Sequence, residues 1–401
     1  MSRGRRSPRA KSALAAALVA LVVLAGVIIA TGASRAPRRP PPAAAQPVPL
    51  GPQSAPLGPP ALGAPPAPAF GANVNRLFND RAYSPRQIAA QLAALRRTGA
   101  TIARSDALWE VAEPRPGAYD WTFDDQIAAA LAASGLRWLP IIDYSPAWAS
   151  SVPGQEHAPP RSAADYAAFA GAFAARYGPG GAFWRSRPDL TAKPVDTYEI
   201  WNEPDNGAFW RPRPDAARYD AMYLAARTAI KEVDSQARVV VGGLTAPSTF
   251  LPAMVAARAG IGAHIDGVAI HPYGPTPAGV LADVRDARNV LARLGLTRTT
   301  LYVTEFGWST RPPGTIAYLP ERLRPSFIAA TLVALARADC GVAATTIYTW
   351  LTPERRRSDR DDWFGIQPPR GGTSPDVIAF AAALKIASSP GPPLRVCAGS
   401  S

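Results

Sequence analysis

Two glutamates stand at the ends of short apolar runs that lie far apart in the chain. Glu203 closes the run from Tyr198 to Trp201, and Glu305 closes the run from Leu301 to Thr304. Two carboxyl groups in one partly buried pocket acquire different proton affinities, so one is neutral while its neighbour is charged. The neutral acid can protonate a leaving oxygen while the other attacks carbon or activates water, as glycosidic-bond cleavage requires. The pair therefore predicts acid–base chemistry on a sugar, provided that the fold brings the two glutamates together.

The elements that must position these acids follow an alternating pattern from Phe70 onward. Short apolar runs predict strands, and the Ala- and Leu-rich stretches between them have helical spacing. Eight strand–helix units in roughly 320 residues predict an α/β fold, a (β/α)8 TIM barrel. A doubly wound sheet would need a glycine-rich phosphate turn after an early strand, and the sequence has none. The predicted strands are Gly71–Asn75, Thr101–Ser105, Trp138–Asp143, Thr197–Trp201, Val239–Gly243, Gly267–His271, Leu301–Glu305 and Thr345–Trp350.

Polar and aromatic residues gather at the ends of these predicted strands. In a (β/α)8 barrel the carboxyl ends of the strands meet at one face, which carries the active site. We therefore expect a common pocket for residues that are a hundred or more positions apart. They are Arg104, Asp143, Asn202, Glu203, His271, Tyr273, Glu305 and Trp350.

The motifs around these residues resemble a known family. Asn202-Glu203-Pro204 after strand four and Thr304-Glu305-Phe306-Gly307 after strand seven are similar to the signature of the clan A retaining glycoside hydrolases. His271-Pro272-Tyr273 after strand six fits the same pattern, as does Trp350 after strand eight. The resemblance is greatest to family 39, which includes β-xylosidases, iduronidases and bacterial exopolysaccharide endoglycosidases. The second loop of that family resembles Trp109-Glu110-Val111-Ala112-Glu113-Pro114 followed by Gly117, Tyr119, Asp120 and Trp121.

The resemblance implies a role for each catalytic acid. Glu203 corresponds to the general acid/base and Glu305 to the nucleophile, with the carboxyl groups about 5–5.5 Å apart as in retaining enzymes. Asn202 would bind the sugar 2-hydroxyl, a contact that strengthens in the transition state. Tyr273 would donate a hydrogen bond to Glu305, and Arg104 would lie near Glu305 and favour its ionised form.

Other site residues keep two interpretations each. Trp350 is expected to stack under the sugar ring, with core packing as the alternative. His271 shapes the same subsite or is a hydrogen-bonded core residue. Trp308 is an outer sugar platform or loop packing, and Asp143 lines the pocket or stays behind it. Arg104 binds at the site or forms a structural salt bridge, and Glu199 is a second inward acid or half of a buried ion pair.

No cofactor or metal is expected. The sequence has three histidines but no His-Glu-x-x-His motif and no close carboxylate cluster, which weighs against a metal enzyme. A Gly-x-Ser-x-Gly elbow is also absent, which weighs against an esterase.

The first 69 residues differ in composition from the rest. The chain has a formal net charge of +13, and eight basic residues but no acid precede Phe70. The uncharged stretch 12–34 is nearly all Ala, Leu, Val and Ile at its centre, so residues 1–34 predict a cytoplasmic basic stub with a transmembrane anchor or a cleaved signal peptide. Residues 35–69 are rich in Pro and Ala and predict a semi-rigid linker. Residues 70–401 are the predicted catalytic domain.

The C-terminal part carries two further features. Cys340 precedes strand eight and Cys397 follows the last helix, so a disulfide or two free thiols are expected. In the loop from Leu351 to Ser374, the arginines Arg355, Arg356, Arg357 and Arg360 stand beside Asp359, Asp361 and Asp362. The loop either binds anionic sugars or neutralises itself, and the second interpretation is favoured.

These patterns together predict a membrane-anchored, extracytoplasmic retaining glycosidase. Its substrate would be a β-linked cell-surface or environmental polysaccharide, and the protein would be a monomer that binds no nucleic acid, since no basic stripe follows the tail. Secretion after signal cleavage is the alternative location. A non-catalytic glycan-binding protein and a transglycosylase are the alternative functions, and the sugar and linkage stay open.

Overall fold

A computed structural model describes residues 68–397 of the chain. The predicted stub and membrane segment at 1–34 lie outside the described residues, as does nearly all of the predicted linker. No helix within residues 68–397 combines the length and the apolar character needed to cross a bilayer.

Eight parallel strands close into a barrel in sequence order, which confirms the predicted fold class. Each strand pairs with its neighbours along the chain, and β1 pairs with β8 to close the ring. The strands are Ala69–Asn73 (β1), Ile102–Leu108 (β2), Arg137–Asp143 (β3), Thr197–Ile200 (β4), Arg238–Leu244 (β5), Gly267–Ile270 (β6), Thr300–Val303 (β7) and Val342–Ile347 (β8).

Helices follow the strands around the barrel. Most of the long helices begin at a side-chain cap; Ser84, for example, forms a capping box with Gln87. Pro247–Ala257 is helical although Pro252 lies inside it, where a proline removes one backbone hydrogen bond. The helices are Asn75–Asn79 (α1), Pro85–Arg97 (α2), Trp109–Ala112 (α3), Thr122–Ala133 (α4), Ala163–Tyr177 (α5), Ala182–Ser186 (α6), Ala216–Val233 (α7), Pro247–Ala257 (α8), Pro277–Arg293 (α9), Arg324–Arg337 (α10) and Pro375–Ala387 (α11).

The largest error in the predicted strands concerns β8. The sequence placed it at Thr345–Trp350, whereas the strand runs from Val342 to Ile347, three residues earlier. Every residue from 342 to 347 is buried, and the sequence has no turn signal before Trp350 that would end the strand. Pairing with β1 and β7 sets the strand limits, with Phe70 opposite Thr345 and Leu301 opposite Val342.

The barrel interior changes from apolar to charged along its axis. A small cluster that includes Ile102, Val240 and Tyr302 fills part of it. Arg104, Glu199 and Asn73 are also buried, with no exposed surface at all. Asn73 lies opposite Arg104 in the register of β1 and β2, and its amide donates to the carbonyls of Thr304 and Ile347. Polar side chains therefore connect strands inside the barrel, directly beneath the expected site.

Two connections fix the region around β8. Cys340 and Cys397 form a disulfide, which ties the C-terminal tail to the segment just before β8. The Arg324 guanidinium on α10 binds the Asp376 carboxylate at the start of α11 at 2.5 Å. Arg324 also donates to the carbonyls of Trp363 and Gly365. These bonds hold the loop after β8 against the barrel mouth.

Candidate active site

Glu203 lies three residues beyond β4, in an irregular turn. Trp201 and Glu203 both have left-handed backbone angles, with φ of 66° and 45°. Such angles are strained for non-glycine residues and persist where the surrounding structure enforces them. The side chain is 7% exposed and lies at the barrel mouth. Its Oε2 accepts a hydrogen bond of 2.7 Å from Asn206 Nδ2, and its Oε1 lies 2.8 Å from His271 Nδ1.

Glu305 lies just beyond β7, where both of its carboxylate oxygens are held. Arg104 Nη1 donates to Oε1 at 2.6 Å, and the Tyr273 hydroxyl donates to Oε2 at 2.6 Å. His271 Nδ1 lies 3.7 Å from the same Oε2. The contacts from Arg104 and Tyr273 fix the carboxylate plane, and they are the two contacts expected from the sequence.

The two glutamates meet through His271. One oxygen of Glu203, one oxygen of Glu305 and a ring nitrogen of His271 all lie within 4.8 Å of one another. The nearest oxygens of the two acids are therefore no farther apart than the roughly 5–5.5 Å that separates the carboxyl groups of retaining glycosidases. His271 is packed against Gly243, where a Cβ atom would lie only 1.9 Å from its Nε2. A glycine at that position of β5 lets the imidazole reach both acids.

The electrostatics separate Glu305 from an ordinary buried acid. Burial acts to raise its pKa, but the charges of His271 and Arg104 and the hydrogen bonds from Tyr273 and Arg104 outweigh burial and lower the pKa. Burial acts to lower the pKa of His271, and the neighbouring Glu305 and Glu203 raise it overall. The site therefore holds Glu305 as a carboxylate.

Arg104 forms the floor of the site rather than a wall of the cleft. Its guanidinium makes two hydrogen bonds of 2.8 Å to Glu199 in addition to its contact with Glu305. It also donates to Asn202 Oδ1 at 3.1 Å. Because Arg104 is fully buried, its assignment as a substrate-binding residue is wrong, and it acts on Glu305 from below. Glu199 is the buried ion-pair partner that the sequence left as one of two alternatives.

An open cleft of about 990 Å³ lies above this floor. Five of the predicted residues line it: Asn202, Glu203, His271, Tyr273 and Glu305. Four others do not, and Arg104 beneath the cleft is one of them. Trp350 is fully buried and donates its indole N–H to Gln91 of α2, so its assignment as a sugar platform is wrong. Trp308 is 1% exposed and donates to the Gly274 carbonyl. Asp143 is completely buried behind the cleft wall.

These assignments failed because they depend on the depth at which each side chain lies along the barrel axis. β8 ends at Ile347, so Tyr348 rather than Trp350 lies at the mouth. Tyr348, Tyr273 and Phe364 form an aromatic trio, with ring centroids 5.3–6.4 Å apart, that lines the cleft beside Glu305. In the predicted strand Thr345–Trp350, alternation would place Tyr348 and Trp350 on the same face. The sequence alone does not say which of the two reaches the barrel mouth.

Sequence reasoning also missed a polar group on the β1–β2 side of the cleft. Asp106 on β2 lines the cleft with Asn75 and Asn79 of α1. A signal was present, since strand periodicity places Asp106 on the same face as Arg104. The asparagines carried no such signal, because α1 is too short to show a helical pattern.

The charged loop after β8 neutralises itself, as favoured from the sequence. Arg356 binds Asp359 at 2.5 Å and Asp362 at 3.2 Å. Arg360 binds Asp361 at 3.2 Å. The guanidinium groups of Arg356 and Arg360 therefore have carboxylate partners within the loop itself.

The same three atoms of Glu203, His271 and Glu305 are close enough to share a cation. His271 Nδ1 and Glu203 Oε1 already lie at hydrogen-bond distance, 2.8 Å, and satisfy each other. The expectation that the protein uses no metal stays a prediction.

Solved structures with the same barrel are glycoside hydrolases. A family 39 enzyme from the gut symbiont Bacteroides cellulosilyticus WH2 matches with a TM-score of 0.60 and 18% identity, over 80% of this chain and 64% of that one. A monomeric β-xylosidase from Caulobacter crescentus CB15 matches with 0.58 and 20%, over 79% and 67%. A GH5_18 protein from Bifidobacterium longum subsp. longum, in complex with Manβ1-4GlcNAc, matches with 0.60 and 12%, over 82% and 80%.

No protein-family profile and no curated protein sequence matches the chain. The chain spans less than two thirds of the length of the first family 39 structure named above. At these identities the likeness shows the fold: the chain has the (β/α)8 barrel found in clan A glycoside hydrolases of families 39 and 5.

Proposed function

We propose that this chain is a retaining glycoside hydrolase that cuts a β-linked polysaccharide by double displacement. The observation that carries the proposal is the pair of buried glutamates whose oxygens lie within 4.8 Å of one another at the barrel mouth. The glycoside hydrolases that share the barrel support the same conclusion.

Glu305 is the proposed nucleophile. The lowered pKa of this carboxylate keeps it charged, and its two hydrogen bonds of 2.6 Å aim it at the anomeric carbon. Attack forms a covalent glycosyl-enzyme ester and releases the leaving-group oxygen. The Tyr273 hydroxyl is a donor in the free enzyme and stays beside the ester oxygen afterwards.

Glu203 is the proposed acid/base. It donates its proton to the leaving oxygen, then takes a proton from the water that hydrolyses the ester. His271 lies at hydrogen-bond distance from one Glu203 oxygen and Asn206 from the other, so the carboxyl group is oriented but not ion-paired to an arginine. These partners suit a carboxyl group that must first donate a proton and then accept one.

The sugar ring would lie between Asn202 and the aromatic trio. Arg104 donates to Asn202 Oδ1, which leaves the N–H groups of the Asn202 amide to donate to a sugar hydroxyl. Tyr348 and Phe364 offer the apolar wall that Trp350 does not supply, and aromatic faces match the C–H groups of a sugar ring.

The test is a screen of the purified 401-residue chain against β-linked polysaccharides: cellulose, xylan, mannan, chitin, chitosan and a β-1,3-glucan. We expect hydrolysis of at least one, with the product anomer retained in proton NMR. Glu203→Gln and Glu305→Gln should each reduce kcat by at least about a thousandfold while leaving the melting temperature close to that of the wild type.

Asp205→Asn is the matched control, because it changes an acid two residues from Glu203 that binds the backbone of Thr245 and Ala246. Its kcat should stay within a few-fold of the wild type. Inversion of the anomer, or full activity in Glu305→Gln, would refute the proposed mechanism. Stable binding without turnover would indicate the glycan-binding alternative, and new glycosidic bonds in the products would indicate a transglycosylase.

We also propose that residues 1–34 anchor the chain in a membrane with the barrel outside. The disulfide between Cys340 and Cys397 supports this location, because disulfides persist in oxidising compartments. Protease added to intact expressing cells should digest the barrel, and mass spectrometry of the mature N-terminus would separate an anchor from a cleaved signal. A reduced, protease-protected barrel in the cytosolic fraction would contradict the proposal.

A further inference from the structure

Asp106 is the one acid on the cleft wall whose two oxygens are both held by amides. Asn75 Nδ2 donates to Oδ1 at 2.8 Å, and Asn79 Nδ2 donates to Oδ2 at 2.6 Å. Asp106 is 8% exposed and lines the same cleft as Glu203 and Glu305. The two donors favour the charged form of the carboxyl, and they hold it in one orientation.

Within residues 68–397 no direct ion pair involves Asp106. The charge of the nearby Arg104 acts to lower the pKa of Asp106, but its guanidinium is engaged by Glu199 and Glu305, and burial outweighs its influence. Leaving a buried carboxylate without a cation is unfavourable, and a cationic ligand group would relieve it.

Each asparagine amide gives one N–H group to Asp106 and keeps a second one. Oδ1 of Asn75 and Oδ1 of Asn79 are buried and lack any hydrogen-bond partner among the described residues. The Asp106 carboxylate accepts one hydrogen bond at each oxygen, so it has acceptor capacity left. A ligand that brings N–H or O–H groups therefore complements this carboxylate.

The remaining cleft charges point the same way. Arg76 is bound by Asp80 at 2.9 Å and by Asp362 at 3.4 Å. Arg360, the other arginine that lines the cleft, is bound by Asp361. Asp283 and Asp286 of α9 line the cleft as well. A negatively charged sugar would thus meet carboxylates without a free guanidinium to bind it.

We propose that Asp106, Asn75 and Asn79 form a charge-selecting subsite, which prefers a sugar bearing a protonated amine over one bearing only hydroxyls and rejects a uronate. The inference rests on the proposed function for the presence of a glycan in the cleft, and it deepens that function by naming the substrate class. Asp106, which lines the cleft, would bind the ammonium directly through a charge-assisted hydrogen bond, and the two asparagine amides would hold the carboxylate in place.

The test uses tetrasaccharides that share the β-1,4 linkage and ring configuration: chitosan tetraose, cellotetraose and the uronate form of cellotetraose. Calorimetry measures their binding to the full Glu203→Gln chain at about pH 6.5, just above the pKa of Asp106, which burial raises to about 6. We expect chitosan tetraose to bind about tenfold more tightly than cellotetraose, and the uronate not to bind.

The decisive variant adds Asp106→Asn, which keeps the shape but removes the charge. The amine preference should fall to about twofold or less, since a charge-assisted hydrogen bond is replaced by a neutral one. Asp286→Asn is the matched control, because Asp286 also lines the cleft but is 66% exposed on α9. It should keep the preference, which separates the subsite from the overall charge of the cleft.

A pH series covers the case in which Asp106→Asn does not fold. Lowering the pH to about 4.5 keeps the amine charged but protonates Asp106, so the affinity for chitosan tetraose should fall about tenfold more than that for cellotetraose. Glu305 stays ionised there because its pKa is lowered. The other titratable or charged groups around Asp106 are Arg104, Asp143, Tyr144, Glu199 and Tyr348.

Equal binding of the amine and the uronate would overturn the proposal, as would an amine preference that survives in Asp106→Asn. Binding of none of the three, alongside intact hydrolysis in the polysaccharide screen, would overturn the subsite and leave the hydrolase. Amine-selective binding without any turnover by the wild type would leave the subsite and overturn the hydrolase.

Discussion

Two groups of buried carboxylates lie side by side at the barrel mouth, and the structure treats them in opposite ways. Glu199 and Glu305 share the guanidinium of Arg104, with contacts of 2.6–2.8 Å. Asp106 and Asp143 are also buried, but neither forms an ion pair among the described residues. Burial raises the pKa of Asp106 to about 6 and that of Asp143 well above its usual value, whereas the pKa of Glu305 is lowered.

Burial alone therefore does not decide the charge of an acid in this site. Desolvation is the largest influence on Asp106, Asp143 and Glu305 alike, and the position of one arginine and one histidine reverses its result at Glu305. A nucleophile must stay charged without substrate. An acid that selects a ligand by charge can lack a counter-cation until the ligand supplies one.

Removal of Arg104 should give the largest effect. Arg104→Met leaves Glu199 buried without a cation and Glu305 with His271 alone, so we expect a loss of about 3–5 kcal/mol in the free energy of unfolding in urea. The matched control is Arg176→Met, because Arg176 binds Asp125 at 2.6 Å with a side chain that is 24% exposed. That pair should contribute only about 1 kcal/mol or less. Equal losses in the two variants would contradict the special role of Arg104.

Tyr273→Phe should act on catalysis rather than on folding. It removes the 2.6 Å hydrogen bond to Glu305 Oε2, which helps to lower the pKa of that carboxylate. We expect kcat/KM to fall about tenfold to a hundredfold, and the acid limb of the pH profile to move to higher pH.

Tyr348→Phe is the control for this effect. The Tyr348 hydroxyl lies in the same aromatic trio but makes no hydrogen bond to Glu305 within the described part of the chain. Its acid limb should stay in place. An unmoved limb in Tyr273→Phe would show that Tyr273 merely packs.

Asp143→Asn should stabilise the protein at neutral pH. Both carboxylate oxygens of Asp143 lack partners, and burial raises its pKa well above the usual value. The folded state then keeps a proton that the unfolded state loses above about pH 4. The free energy of unfolding therefore falls as the pH rises from about 4 towards the raised pKa of Asp143. Replacement should recover about 1–2 kcal/mol at pH 7 and nothing near pH 3, as measured by urea unfolding at both values.

Asp125→Asn provides the opposite case. Asp125 accepts from Arg176 and from the Tyr177 hydroxyl at 2.6–2.8 Å, so its loss should destabilise the protein at pH 7. If both variants destabilise, the unpaired state of Asp143 is not the cause of its raised pKa.

Arg360→Gln should give the smallest effect. Arg360 is 42% exposed and bound to Asp361, so we expect a change in unfolding free energy of about 0.5 kcal/mol or less. Binding of the cellotetraose uronate should also stay absent. A uronate that binds the wild type and is lost in Arg360→Gln would show that the loop after β8 recognises anionic sugars.

Sequence reasoning worked best where a residue's role depends on a strand end. Glu203, Asn202, His271, Tyr273 and Glu305 each follow a strand closely, and all of them line the cleft. It failed at Trp350, because the end of β8 depends on pairing with β1 and β7. Trp308 and Asp143 failed for a related reason: their positions follow a strand or end one, but their side chains turn into the protein.

The sequence alone determined the barrel and the two glutamates at its mouth. Alternating apolar periods and strand-end motifs are local signals, and eight repeats of strand and helix have one common closed arrangement. Only the tertiary structure decided which acids have a cation. Arg104 reaches Glu199 from a position 95 residues away and Glu305 from a position 201 residues away, and it leaves Asp106 to two amides. Such contacts depend on barrel register and side-chain direction, which no local pattern encodes.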